Sequence, residues 1–65
     1  MIKVNGQMKP LDNVITVERL LDIENYDSTV VVVEINEEII KKSEYDKRKI
    51  KDGDKVEILK FVGGG

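Results

Sequence analysis

Three glycines, Gly63-Gly64-Gly65, stand at the end of this sequence behind an apolar run, Val56-Glu57-Ile58-Leu59-Lys60-Phe61-Val62. The arrangement reads as a final strand running into a tether that has no side chains and carries a free carboxylate. Glycine lacks Cβ and accepts backbone geometries closed to other residues, so such a tether can thread a narrow channel. At about 3.3–3.6 Å per extended residue, it carries the carboxyl of Gly65 roughly 10 Å beyond Val62, enough to enter another protein's active site. With a reference pKa of about 3.3–3.7, that carboxyl is an anion at neutral pH and a poor electrophile, so acyl chemistry there requires prior activation. Gly65 is the candidate reacting group, and Gly63 and Gly64 are its access.

The remaining residues offer little competing chemistry. The chain has 65 residues, the size of one domain, with no Cys and no His. A domain this small buries only about 60% of its unfolded surface, which leaves no room for a deep catalytic cleft beside a core. Without Cys, disulfides, thiolate metal sites and cysteine nucleophiles are excluded, and any sulfur the protein handles must come from another protein. Without His, the commonest general base and metal ligand is missing. No catalytic residue and no metal ligand set is assigned. Glu37 with Glu38, and Asp52 with Asp54, can be written as carboxylate pairs, but each falls where a turn is expected, and solvated turn acids are the ordinary explanation. A net charge of −2 with interspersed signs gives no basic stripe for a nucleic-acid backbone. Neither a signal peptide nor a membrane-spanning run of about 20 apolar residues is visible, so the expected compartment is the cytoplasm, away from membranes.

The tether needs a body to hold it. Met1-Ile2-Lys3-Val4-Asn5 alternates apolar and polar residues into Asn5-Gly6, the strongest short hairpin signal, and Gln7 to Leu11 returns, with Pro10 ending that strand or placing it at a sheet edge. Thr16 is a candidate helix N-cap before Val17-Glu18-Arg19-Leu20-Leu21-Asp22-Ile23-Glu24, in which Val17, Leu20 and Leu21 follow helical spacing and Ile23 borders the stripe. Val30-Val31-Val32-Val33-Glu34-Ile35 is rich in β-branched residues and reads as a strand, turning at Asn36-Glu37 into a short return strand, Glu38-Ile39-Ile40. Lys41 to Lys51 is highly charged. It predicts an irregular crossing with a helical turn, anchored by Tyr45 and Ile50. Asp52-Gly53-Asp54 marks a tight turn into the last strand. This order predicts an α+β fold, a small mixed sheet with one helix packed across one face, as in the ubiquitin-like β-grasp. The body is expected to span residues 1–62 and the flexible glycine tail residues 63–65.

Side chains alternate across a strand. If Val31, Val33 and Ile35 face the helix, Val30, Val32 and Glu34 face away; if Val56 and Ile58 are core, Glu57, Leu59 and Phe61 point outward. An apolar patch of Val30, Val32, Leu59, Phe61 and Val62 is then expected beside the tail, and such patches bordered by charge mark contact surfaces. A register slip of one residue exchanges the two faces.

Asn5-Gly6, Thr16-Val17 with Leu20-Leu21, Val33-Glu34-Ile35-Asn36, Ser43-Glu44-Tyr45, Lys51-Asp52-Gly53-Asp54-Lys55-Val56-Glu57-Ile58 and above all Phe61-Val62-Gly63-Gly64-Gly65 together resemble the ThiS family, the ubiquitin-like sulfur carriers of bacterial thiamin biosynthesis, along nearly the whole chain. Many relatives have Asn-Gly where this chain has Asn36-Glu37, so a different turn type is expected there. The resemblance implies that a ThiF-type adenylating enzyme, using ATP and magnesium, converts the carboxylate of Gly65 to an acyl adenylate. A sulfur donor protein then supplies the sulfur that leaves a thiocarboxylate, which the thiazole synthase ThiG consumes. It also implies a protein co-substrate rather than an enzyme, with no cofactor of its own and monomeric when alone. Rival readings are the small subunit of molybdopterin synthase, a protein modifier that forms isopeptide bonds, and an interaction module whose tail is never activated.

Overall fold

The computed structural model describes residues 1–61. Strands β1 (Ile2–Val4) and β2 (Gln7–Lys9) form the first hairpin. The two-residue strand β3 (Ile15–Thr16) leads directly into helix α1 (Val17–Ile23). A 3-10 turn (Ser28–Val30) precedes β4 (Val31–Ile35), which returns as β5 (Glu38–Ile40). A second 3-10 turn (Lys42–Glu44) and β6 (Lys49–Ile50) make the crossing, and β7 (Lys55–Lys60) closes the order. The main sheet runs β2-β1-β7-β4-β5. Here β7 is the central strand, parallel to β1 and antiparallel to β4. This is the mixed sheet with one helix that the sequence predicts.

Alternation sets the core as expected. Val31, Val33, Ile35, Val56 and Ile58 are buried with Ile2, Val4 and Ile40, and α1 presses Val17, Leu20 and Leu21 onto them. Ile23 stays 51% exposed and does not join the stripe. Tyr45 and Ile50 anchor the crossing in the same cluster. The crossing also fixes the start of the helix, whose first N–H groups have no intrahelical acceptor. Val17 N donates to the Arg48 carbonyl at 3.0 Å and Glu18 N to that of Tyr45 at 2.9 Å. The Thr16 hydroxyl accepts from Arg19 N at 3.1 Å, confirming the N-cap. A small second sheet, β3 with β6, draws the same two segments together and has no counterpart in the sequence reading.

Both hairpins turn through an asparagine. Asn5 has φ +48° and Gly6 +83°, while Asn36 has φ +52° and Glu37 +71°. Positive φ at both central residues of a two-residue loop is the type I′ turn, whose twist matches the flanking strands. The different turn expected at Asn36-Glu37 is therefore not found: Glu37 is driven into the left-handed region instead. Asn36 explains why. Its N–H donates to the Lys55 carbonyl at 2.8 Å, its Oδ1 accepts from Lys55 N at 3.0 Å, and its Nδ2 donates to Asp54 at 3.0 Å. These bonds fix the loop and leave Glu37 no choice. A non-glycine residue in that region costs roughly 1–2 kcal/mol. Part of this is offset in Glu37→Gly by the greater freedom of glycine in the unfolded chain, about 0.4–1 kcal/mol. Glu37→Gly is therefore expected to raise stability by about 0.5–1 kcal/mol, read as a higher urea midpoint at unchanged m-value; a lower midpoint contradicts the account.

Candidate functional site

The candidate site is the face of the sheet opposite the helix, at the end of β7. Its residues follow from strand register. Glu57 on β7 opposes Glu34 on β4, which in turn opposes Ile39 on β5; one row further along, Leu59 opposes Val32. Phe61 continues beyond the strand, its N–H donating to the Val30 carbonyl at 2.8 Å. Leu59 is 49%, Phe61 62% and Ile39 66% exposed, and Val32 is half-buried. The outward register expected for Leu59, Phe61 and Val32 is thus present, and they form one apolar surface where the chain leaves the sheet.

Val30 requires correction. It belongs to the 3-10 turn rather than to the strand, and its half-buried side chain packs against the core cluster. Asp27 is the reason. Its Oδ1 accepts from Thr29 N at 2.9 Å and from the Thr29 hydroxyl at 2.7 Å, and Val30 N donates to the Asp27 carbonyl at 3.1 Å. The two bonds from Thr29, and more weakly the charge of Lys42, hold the Asp27 carboxyl below its ordinary pKa. Lys42 Nζ also donates to the Thr29 carbonyl at 2.8 Å. The turn so fixed withdraws the Val30 side chain from the outer face and leaves its carbonyl to hold Phe61. Val62, Gly63, Gly64 and Gly65 lie outside the described residues.

Two contributors escape sequence reasoning. Ile39 extends the apolar surface across β5, but a three-residue return strand reading Glu-Ile-Ile does not say which isoleucine is core; Ile40 takes that place. Asn5 reads only as a turn signal, yet its Oδ1 accepts from Ile58 N at 2.7 Å while its own N–H donates to the Val56 carbonyl at 2.9 Å. With Asn36 on the opposite flank, two loop asparagines grip the strand that carries the site.

Among the described residues no group of Asp or Glu side chains is placed to hold a metal ion, and no helix is long and apolar enough to cross a membrane. The arrangement offers an exposed apolar surface at the end of the central strand. Phe61→Ala is accordingly expected to change stability by no more than about 0.5 kcal/mol, as exposed positions do, while Ile58→Ala costs about 2–5 kcal/mol. Denaturant melts of the two variants check the register. Equal losses contradict it.

The ThiS family model matches residues 2–65. The sulfur carrier protein ThiS of Bacillus subtilis is 38% identical over 66 aligned positions, covering 100% of both chains. A thiazole synthase of Paramagnetospirillum magneticum is 45% identical over 62 residues, 95% of this chain; the match spans only 19% of that longer protein. The crystal structure of the thiamine biosynthesis protein ThiS from Geobacter metallireducens superposes with a TM-score of 0.83 at 36% identity, over 98% of this chain and 97% of that one.

Proposed function

The chain belongs to the ThiS family, and from that premise we propose that it is a sulfur carrier of thiamin biosynthesis, acting as a protein co-substrate through the carboxylate of Gly65. The observation that carries this reading is the position of Phe61. It stands on the exposed apolar face, where the central strand ends, and the sequence continues from it as Val62-Gly63-Gly64-Gly65. A partner seated on Leu59, Phe61 and Val32 is placed to receive the glycine segment.

The chemistry divides between carrier and partners. A ThiF-type enzyme with ATP and magnesium joins a carboxylate oxygen of Gly65 to AMP and releases pyrophosphate. Sulfur delivered by a donor protein at the oxidation level of sulfide then attacks the acyl carbon and displaces AMP, which leaves with that oxygen, and the thiocarboxylate becomes the nucleophile used by thiazole synthase. The carrier contributes no acid, base or metal to these steps. It contributes a surface that is recognised and a narrow chain that reaches. The test is intact-mass analysis of the protein incubated with the adenylating enzyme, ATP, magnesium and the sulfur donor. A gain equal to the difference between sulfur and oxygen supports the reading; an unchanged mass under conditions that load the Bacillus subtilis carrier rejects it.

A further inference from the structure

The outer face contains a conflict that the isolated fold leaves in place. Glu34 and Glu57 are directly opposed on β4 and β7 and both are half-buried. Like charges so placed oppose strand pairing, and β-branched or aromatic residues suit such positions better. Lys55 approaches Glu57 at 3.6 Å. Among the described residues no basic group lies within ion-pair distance of Glu34. The two carboxylates border the apolar surface, with Ile39 on one side and the Leu59–Val32 row on the other, while Lys55 stands beyond Glu57, whose side chain is 40% exposed.

A group that settles on this spot must be cationic, must meet two carboxylates together and must tolerate apolar neighbours. Arginine fits all three requirements: its guanidinium is planar, presents five donors in a fixed fork and is more weakly hydrated than an ammonium. We infer that the partner seated on this face inserts an arginine between Glu34 and Glu57, and that this partner is the thiazole synthase. The inference rests on the sulfur-carrier reading and adds the chemistry of the contact. The synthase is favoured because a protein of that name in Paramagnetospirillum magneticum contains a segment 45% identical to this chain within one polypeptide, an arrangement that raises the effective concentration of two surfaces that must meet.

The experiment measures binding of purified thiazole synthase to the parent carrier and to Glu34→Gln, Glu57→Gln, the double variant and Glu34→Asp, at low and moderate salt, with a thermal melt of each free carrier. Each single Gln variant is expected to bind about tenfold more weakly and the double variant weaker still, as loss of a partly desolvated charge contact implies. Glu34→Asp keeps the charge and is expected to bind more tightly than Glu34→Gln. The salt dependence should flatten in the double variant, and its free melting temperature should be no lower than the parent's, since a repulsion has been removed. Gln variants that bind as tightly as the parent overturn the inference, as does a parent that does not bind the synthase. The sulfur-loading mass test is independent of these outcomes and decides the underlying reading separately.

Discussion

Deleting Gly65 is expected to reduce sulfur loading by at least about a hundredfold. The deletion draws the carboxylate back by one residue, about 3.3–3.6 Å in an extended chain, and a misplacement of roughly 1 Å already costs a reaction on the order of a hundredfold. Gly64→Leu is expected to fail for a different reason. It keeps the carboxylate at its distance but adds a side chain to the segment that, on the proposed sulfur-carrier reading, threads a passage shaped for bare backbone. Both variants should melt with the parent, because the core cluster among the described residues draws on nothing after Ile58. Loading followed by intact mass, with thermal melts alongside, separates lost chemistry from lost folding. Efficient loading without Gly65 removes its carboxyl from the mechanism.

Leu21→Ala is expected to cost about 2–5 kcal/mol, the range for emptying a buried leucine site. Leu21 is 2% exposed, and it shares the underside of the sheet with Leu20 at 4%. Stabilities of whole domains are only about 5–15 kcal/mol, so this one substitution takes a large share. At about 4–8 °C per kcal/mol for a domain of this size, the melting temperature should fall by about 8 °C or more. The whole helix is turned to holding the sheet, with its stripe against the core and its first turn tied to the carbonyls of Tyr45 and Arg48. A melting temperature held within a degree or two of the parent contradicts its role as the element that closes the core.

The features that read well from sequence are those in which a local pattern and the global fold agree. Asn5-Gly6, the helical spacing of Val17, Leu20 and Leu21, and the alternation Val56-Glu57-Ile58-Leu59 each carry enough periodicity to fix both an element and its buried face. Val30 is misread from sequence because a run of four valines contains no boundary; the boundary comes from Asp27 bonding two residues ahead. Strands β3 and β6 are two residues each, too short for any period to register. Glu37 at positive φ runs against its own preference, and only the non-local bonds of Asn36 account for it. The same applies to the site. Leu59, Phe61 and Val32 follow from strand alternation, whereas Ile39 and the opposition of Glu34 to Glu57 depend on which strands are neighbours, which one sequence does not reveal.

The parallel pairing of β1 with β7 has a mechanical consequence. These strands lie near opposite ends of the sequence and point the same way, so a pull on the tail against a held N-terminal strand does not peel their contacts open one at a time. It slides one strand along the other. The links from Lys3 N to the Asp54 carbonyl, from Asn5 N to the Val56 carbonyl and from Ile58 N to the Asn5 side chain, at 3.0, 2.9 and 2.7 Å, bear the load together. A pull along β7 against a held β1 is therefore shared among several bonds instead of falling on each in turn.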